Sequence, residues 1–303
     1  MQLDNTHIAV KERNLKDICD LSLHVMRQYW RPIVLTSLVG AIPLMVINHL
    51  LIGWMMQIGN NNAFFYLDES AAITRYVWNM SLLIAIEAPL ASIFATAYLG
   101  QAVFFDRPNV RDVFADVFKM LPRILWCQLV VRGILPAWLL MMAIPRHEDL
   151  VFGVEVMLFP MLAVYAIGLR AFRPFINEIV LLERNPLFSR NQTIMTVSRR
   201  SAQLHSPSSG DLVSQGLAMC VMTVCLAIAM FGNFVFVKGV LANSWKVTPF
   251  MLLYAMPLAC WMVAIYLNVV RFLRYLDLRI RHEGWEVELR MRAEANRMAN
   301  KSF

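Results

Sequence analysis

The chain has 303 residues, of which 58% are hydrophobic and 16% charged, and its mean hydropathy of +0.53 is well above that of soluble domains. A soluble helical protein is excluded because helices in ordinary domains average about 11–12 residues and keep one polar face. Residues 33–51, by contrast, include only four polar side chains. The net charge of +7 comes without a base-reading motif, so we expect no nucleic-acid partner. These properties predict an integral membrane protein.

Six apolar stretches follow one another along the chain, and each is about as long as the ~20 residues that a helix needs to cross the hydrocarbon core. The predicted spans are 32–56, 77–105, 121–144, 151–169, 212–237 and 248–270. The predicted fold class is all-α, a polytopic bundle of six transmembrane helices over residues 32–270. An N-terminal amphipathic segment, 1–31, precedes the bundle, and a basic helical tail, 271–303, follows it.

Each pair of spans is preceded by a predicted amphipathic helix, at residues 15–30, 110–121 and 188–204. The second is the clearest, because apolar residues such as Val113 and Val117 recur at helical spacing and charged residues such as Asp116 and Lys119 take the opposite face. We expect these helices to lie in the membrane interface or to pack beneath the bundle. Lipid sensing and partner docking are the functional alternatives.

The 28 Lys and Arg residues are distributed unequally over the segments between the spans. Alternate segments, starting with residues 1–31, carry 23 of them and the intervening segments carry 4, while Arg132 lies inside the third span. Because basic residues are retained on the cytoplasmic side, this bias predicts that both termini are cytoplasmic. The prediction is a multi-pass protein of the cell inner membrane whose cytoplasmic side contacts anionic lipid headgroups.

Two charged residues lie near the middle of predicted spans, Glu87 in the second and Arg132 in the third. Ionisable groups at this depth are costly and are therefore functional candidates. Because the two helices are consecutive, we expect both side chains at a similar depth and an ion pair between them. The pair has two interpretations: a fixed contact that positions two helices, or part of a path for protons or anions.

Other polar residues are candidates nearer the membrane surfaces. His49 and Glu155 fall toward the outer ends of their spans, where an interfacial position is favoured over a catalytic one. Basic residues and tryptophan suit the headgroup region on the cytoplasmic side. The candidates there for docking or lipid contact are Arg199, Arg200, Arg279, Arg281 and Trp285.

Signatures of enzymes and cofactor sites are missing. The sequence contains no Walker-A, dinucleotide-binding, zinc-protease or nucleophile-elbow motif, so we expect no enzyme, no catalytic residue and no cofactor. The adjacent residues His147, Glu148 and Asp149 cannot easily converge on one ion, so we expect no metal site. The five cysteines lack metal-ligand spacing, and four of them lie in apolar spans.

Two short stretches carry a resemblance to a known family. One runs from Arg173-Pro174-Phe175 to Glu183-Arg184-Asn185-Pro186-Leu187, and the other is Tyr-Leu-Asp-Leu-Arg-Ile-Arg-His-Glu-Gly-Trp-Glu at 275–286. With the six spans, they resemble the uncharacterised bacterial six-span proteins grouped with the membrane domain of glycerophosphodiester phosphodiesterases and the YciC-like proteins. The resemblance implies a bacterial membrane protein. It does not imply hydrolysis, because the 303 residues contain no segment that resembles the soluble phosphodiesterase domain of those enzymes.

The sequence therefore predicts a non-enzymatic membrane protein that organises, assists or anchors other components, with a cytoplasmic or membrane protein as its partner. The alternative is a small transporter or channel that uses Glu87 and Arg132. A transporter would have a hydrated cavity reaching Glu87. A scaffold would have a dry bundle and an exposed apolar patch on its amphipathic helices.

Overall fold

The computed structural model describes residues 13–56, 66–102, 109–146, 151–190 and 194–283, without the side chains of residues 66–71 and 283. All regular structure in these ranges is helical, which confirms the all-α prediction. The α-helices there are α1 (Leu15–Gln28), α2 (Trp30–Ile52), α3 (Tyr66–Ala91), α4 (Ile93–Ala102), α5 (Val110–Leu125), α6 (Ile134–Ala143), α7 (Phe159–Phe172), α8 (Ile176–Leu182), α9 (Val197–His205), α10 (Ser209–Ala242) and α11 (Met256–Glu283). Three π-helical segments adjoin them: π1 (Trp126–Val131) after α5, π2 (Phe152–Leu158) before α7 and π3 (Met251–Ala255) before α11.

Several of these helices are long and apolar enough to cross a membrane. Within the described ranges, four segments meet this condition alone, namely Trp30–Ile52, Phe152–Phe172, Ser209–Ala242 and Met251–His282. Two further pairs meet it only together: α3 with α4, bent by 41°, and α5–π1 with α6, bent by 52°. The structure therefore has four candidate spans, or six when each bent pair counts as one.

The surface of α10 is mostly exposed and apolar, as expected of a helix that contacts lipid. Of its 34 residues only Leu212 and Gly239 are buried, although it packs against α7 and α11. Leu217, Val221 and Ile228 are among its large exposed apolar side chains. In water, each Å² of this exposed apolar surface would cost about 25 cal/mol of free energy. In the hydrocarbon core of a membrane this cost is absent, because the surrounding lipid tails are also apolar.

The bend between α3 and α4 follows from a proline and a close helix contact. Pro89 removes a backbone donor one turn before the break, and the Ser92 hydroxyl donates to the Pro89 carbonyl at 2.9 Å. The neighbouring helix α2 passes close to this point at Gly40, where a Cβ would overlap the Ala91 carbonyl. A larger residue at 40 would therefore push the two helices apart.

The second bent pair breaks at Gly133, which has a left-handed backbone with φ of +81°. Such a conformation favours glycine because it has no Cβ. A Cβ at this position would also lie only 2.8 Å from Leu162 Cδ1. Helix α6 then starts at Ile134 in a direction that differs from that of α5 and π1.

Three apolar cores divide the bundle between two ends. One core joins parts of α2, α3, α6, α7 and α11 at the end that holds Ile52, Ile144 and Leu252, which we call the opposite end. The other two cores join α1, α2, α4, α5, α8, α9 and α11. They lie at the end that we call the basic end, because it holds the Lys- and Arg-rich segments.

Helix α8 is an unexpected part of the basic end. It has only seven residues, yet Asn177, Glu178, Ile179, Val180 and Leu181 are all buried. It packs among α4, α5 and α9. The sequence analysis predicted no helix at residues 176–182, which lie between the fourth predicted span and the third predicted amphipathic helix.

The predicted amphipathic helices correspond to α1, α5 and, in part, α9. Helices α1 and α5 each bury one face, with Val25 in α1 and Val117 in α5 as examples. The third prediction, 188–204, is wrong in its first half, because α9 begins only at Val197. The Thr196 side chain caps it, and the Val197 amide donates to the Pro186 carbonyl at 3.0 Å.

Candidate functional site

An ion pair is buried at the opposite end. Arg75 on α3 donates to Glu155 on π2 from Nε to Oε2 at 2.6 Å and from Nη2 to Oε1 at 2.5 Å. Asn79 Nδ2 and the Val151 amide also donate to Glu155, each at 3.2 Å. The Arg75 guanidinium lies over the Trp54 ring. Arg–carboxylate pairs with two parallel hydrogen bonds are stronger than hydrogen bonds between neutral groups.

The interfacial prediction for Glu155 stays a prediction, since the residue lies near the start of its candidate span. Its side chain is buried in the bundle and accepts four hydrogen bonds. The arginine on α3 compensates the charge of this buried carboxylate. His49 is half-buried, and its ring stacks on Tyr254 with centroids 5.7 Å apart.

Glu87 lies deeper in the bundle with no exposed surface. Its Oε2 accepts from Asn48 Nδ2 on α2 at 2.7 Å, and its Oε1 accepts from Trp138 Nε1 on α6 at 2.6 Å. Both carboxyl oxygens are thus held by neutral donors from two different helices. One side chain connects three candidate spans.

The predicted ion pair between Glu87 and Arg132 is wrong. In the described part of the chain, Arg132 Nη2 donates instead to the carbonyl of Arg173, at 2.5 Å. Arg132 immediately precedes the break at Gly133, so the 52° bend separates it from the helix segment that carries Trp138. Trp138 reaches Glu87, and Arg132 faces the connection between α7 and α8.

A second buried network lies toward the basic end. Arg271 on α11 donates from Nε to Glu178 Oε1 on α8 at 2.8 Å. Its Nη2 donates to Ser92 Oγ at 3.0 Å, to Asn268 Oδ1 at 3.0 Å and to Thr96 Oγ1 at 3.3 Å. Thr96 in turn donates to Asn268 at 3.0 Å. The network joins α4, α8 and α11.

Side chains from two elements, α7 and α8, contact the second candidate span near its bend. Gln128 of π1 donates to Asn177 Oδ1 at 2.5 Å, and Asn177 Nδ2 donates to the Pro89 carbonyl at 2.8 Å. Arg170 of α7 donates to the carbonyls of residues 85 and 86. These carbonyls lie close to the proline, where the regular hydrogen bonding of the helix is interrupted.

Five buried polar side chains occur along α3, α4 and the break between them, and we call this set the polar series. It consists of Arg75, Asn79, Glu87, Ser92 and Thr96, and all five are buried. Its first and last members are about 30 Å apart along a helix, as thick as a hydrocarbon core. Because the positions wind around the helix, the series meets α2, α6, π2 and α11 in turn. The second candidate span is therefore bonded to its neighbours near its start, at Glu87 and around its bend.

At the basic end, Glu183 binds several of the residues predicted for docking or lipid contact. Arg200 donates to it from Nε at 2.6 Å and from Nη2 at 3.0 Å, and the Tyr275 hydroxyl donates at 2.9 Å. Arg279 Nε lies 3.7 Å from the same carboxylate. Arg200 and Arg279 thus fasten the segment after α8 to α11.

The remaining predicted basic-end residues differ in their positions. Arg281 forms an ion pair with Asp277 at 2.9 Å on the same helix. Arg199 is exposed, and its Nη1 donates to the Ile194 carbonyl at 3.2 Å. Trp285 lies outside the described residues.

A cleft of about 480 Å³ opens at the basic end beside Arg199. We call it the basic cleft; it is lined by residues 187–190 and by Thr196, Ser198 and Arg199. Two of its lining residues are arginines and three carry hydroxyl groups. The sequence predicted Arg199 as a candidate but could not predict the cleft, because residues from both sides of a loop form its lining.

His205, at the end of α9, is a buried titratable group near this region. Its Nδ1 donates to the Ser201 carbonyl at 2.7 Å, and its ring stacks on Phe175. Burial lowers the pKa of His205 to about 4, although the Ser201 bond opposes this shift. Its imidazole is therefore neutral at physiological pH and takes part in packing.

No metal centre is assembled by the described residues. Nowhere among them do three His, Cys, Asp or Glu side chains come together as an ion would require, and the five cysteines are free thiols. The stretch 147–149, which the sequence analysis considered for a metal, lies outside the described residues.

Comparison of the chain with protein-family models, with curated proteins and with solved structures gives no match. The resemblance to the phosphodiesterase membrane domain and the YciC-like proteins therefore stays a prediction. Function is inferred from the polar series and the surface of the basic end.

Proposed function

We propose that this chain is a six-span protein of a bacterial inner membrane that organises or anchors other membrane components without catalysing a reaction. Each bent pair of helices then counts as one span. Both termini face the cytoplasm, an orientation supported by the 23 Lys and Arg residues of one set of segments against 4 in the other. The resemblance stated above supports the bacterial setting.

The observation that carries the proposal is the set of hydrogen bonds from the polar series to neighbouring candidate spans. Arg75 is bonded to a carboxylate, and Ser92 and Thr96 are bonded to an arginine. Each contact crosses from one candidate span to another, so moving the second span against its neighbours breaks buried polar bonds. Leaving one buried partner unsatisfied costs about 1–3 kcal/mol. A bundle fixed in this way suits a static support better than a transporter that changes shape in each cycle.

Exposed apolar side chains at the basic end support a role in binding partners. Leu23 on α1 is 57% exposed and Phe118 on α5 is 60% exposed, both on helices whose other faces are buried. Such residues suit an interface with a cytoplasmic or membrane protein, or with lipid. Anionic headgroups complement the basic residues that surround them.

A small transporter or channel is the second candidate, and Glu87 favours it. Its carboxyl oxygens accept hydrogen bonds from two neutral donors, Asn48 and Trp138, and no cation is paired with it in the described ranges. An intramembrane carboxyl of this kind is a common site for proton or cation coupling.

Water access to the polar series tests the two candidates against each other. In a variant whose five native cysteines are replaced by alanine, Ser92→Cys is treated with a membrane-impermeant maleimide in sealed vesicles of known orientation. We expect no labelling from either side. The control Ser198→Cys reports on the exposed basic end and is expected to react only from the cytoplasmic side. Labelling of Ser92→Cys would contradict the scaffold and favour a transport path, and labelling of Ser198→Cys from outside would contradict the orientation.

A flux measurement on the purified protein complements this test. Proteoliposomes with an entrapped pH-sensitive dye are compared with protein-free liposomes under an imposed pH gradient. We expect equal rates of dye response in both. Faster proton entry that disappears in Glu87→Gln would instead support the transporter.

A further inference from the structure

We infer that the basic cleft is a binding site for the phosphate group of an anionic phospholipid. This inference rests on the proposed membrane setting of the chain and names one lipid site within it. The cleft lies between Pro186, just after the buried helix α8, and Arg199 in the first turn of α9.

The loop that forms the cleft is held closed at its base. The Val197 amide donates to the Pro186 carbonyl at 3.0 Å, so the two ends of the loop are adjacent. The Thr196 hydroxyl accepts from the Arg199 amide at 3.4 Å, and Arg199 Nη1 donates back to Ile194 at 3.2 Å. The described residues on the two sides of the cleft are therefore connected at its base before any ligand arrives, which reduces the ordering cost of binding.

The charge of the cleft is positive. Arg190 and Arg199 both line it, and its described lining residues include no carboxylate. Glu183 is bonded to Arg200, while Asp116 forms an ion pair with Arg184 at 2.9 Å. The planar guanidinium groups of arginine match the geometry of phosphate oxygens, and nearby hydroxyls add donors. Ser198 supplies such a hydroxyl in the lining.

The surroundings of the cleft favour a lipid over a soluble phosphate compound. Phe188 in its lining is 81% exposed, and Ile194 and Met195 on the same loop are 44% and 43% exposed. Only a few residues after α9, the chain enters α10, a candidate span, at Ser209. Apolar side chains beside arginines, close to the end of a candidate span, suit the membrane interface, where acyl chains meet headgroups. Basic pockets between membrane helices on the cytoplasmic side are known binding places for anionic headgroups.

The test measures lipid binding to the full-length protein in nanodiscs of phosphatidylcholine with increasing phosphatidylglycerol. Native mass spectrometry of the released protein counts the phosphatidylglycerol molecules that remain bound. The variant is Arg190→Gln with Arg199→Gln. The control is Arg111→Gln with Lys119→Gln, which removes the same charge from exposed positions on α5.

We expect the cleft variant to bind phosphatidylglycerol roughly 25-fold more weakly, at about fivefold per arginine, and the control to change less than twofold. Phe188→Ser is expected to weaken lipid retention as well, because it removes the apolar part of the site. Equal losses in the cleft variant and the control would overturn the inference, since they would reflect general charge attraction.

Two further arms separate the sources of phosphate. Radiolabelled inorganic phosphate and a fluorescent phosphoserine peptide are each offered to the protein in pure phosphatidylcholine nanodiscs. Binding of either one that is lost in the cleft variant would overturn the lipid assignment in favour of a soluble ligand. Because both faces of a nanodisc are open, these results do not depend on the orientation or on the scaffold function, which the cysteine labelling addresses separately.

Discussion

Arg75 and Glu155 are joined side by side through two hydrogen bonds, with Nε–Oε2 and Nη2–Oε1 distances of 2.6 and 2.5 Å, where neither residue is more than 7% exposed. The pair connects the second candidate span to the start of the fourth. The two opposite charges compensate each other, so we expect the removal of either charge to destabilise the protein.

Replacing Glu155 by glutamine removes the negative charge that the buried Arg75 guanidinium contacts through two hydrogen bonds. We expect the free energy of unfolding to fall by about 3–5 kcal/mol, the usual cost of breaking one side of a buried pair. Unfolding by denaturant in detergent micelles measures it. The matched control is Asp116→Asn, which breaks the more exposed Arg184 pair and should cost less than about 1 kcal/mol. A smaller effect for Glu155→Gln than for the control would show that the pair contributes nothing.

The positions of the long helices could be predicted from the sequence because length and apolarity are properties of one segment alone. Residues 212–237 fall within α10, for example, and residues 77–105 overlap the bent pair α3 and α4. The polar partners could not be predicted in the same way. Which donor reaches a given carboxylate depends on helix rotation and on bends. Glu87 and Arg132 were expected to pair because both lie near the middle of their predicted spans, but the helix breaks at Gly133 and Arg132 contacts Arg173 instead.

Some of the missed contacts did leave a signal in the sequence. Asn48, Asn79 and Asn268 are single amides inside apolar stretches, where an unbonded amide would be costly. Each of them contacts a buried polar partner in the structure. Helix α8 was harder to recognise because its seven residues are too few for a clear helical period.

The absence of a Glu87–Arg132 ion pair can be measured with a double-mutant cycle. Glu87→Gln and Arg132→Met are made singly and together, and their unfolding free energies are compared. We expect a coupling energy below about 0.5 kcal/mol, as for residues that share no contact. The control cycle of Glu87→Gln with Asn48→Leu should give a coupling of about 1 kcal/mol or more, because those two side chains are bonded. A coupling above about 1 kcal/mol between positions 87 and 132 would restore the ion pair.

The stability of the basic end should depend on pH through His205. Burial holds its folded-state pKa at about 4, below the ordinary value of 6.5, so between these values the unfolded chain binds a proton that the folded chain does not. Stability is therefore complete above about pH 6.5 and falls as the pH drops toward 4, by up to about 3 kcal/mol. Unfolding of the wild type and of His205→Gln is compared at pH 7.5 and pH 5. We expect a smaller pH dependence in the variant; an unchanged one would mean that other groups cause it.

The bend in the second bent pair should depend on the absence of a side chain at Gly133. Alanine at this position would have to adopt a φ of +81° and would place its Cβ 2.8 Å from Leu162 Cδ1. We expect Gly133→Ala to destabilise the protein by more than about 1 kcal/mol, since the backbone must either stay strained or straighten. Straightening would shift Arg132 and Trp138 together, so quenching or a spectral shift of tryptophan fluorescence should accompany the loss. The control is Gly168→Ala in α7, where nothing lies within 4 Å of the new Cβ and the stability should stay within about 0.5 kcal/mol of wild type. Equal behaviour of the two variants would show that the break at Gly133 is not imposed by its backbone.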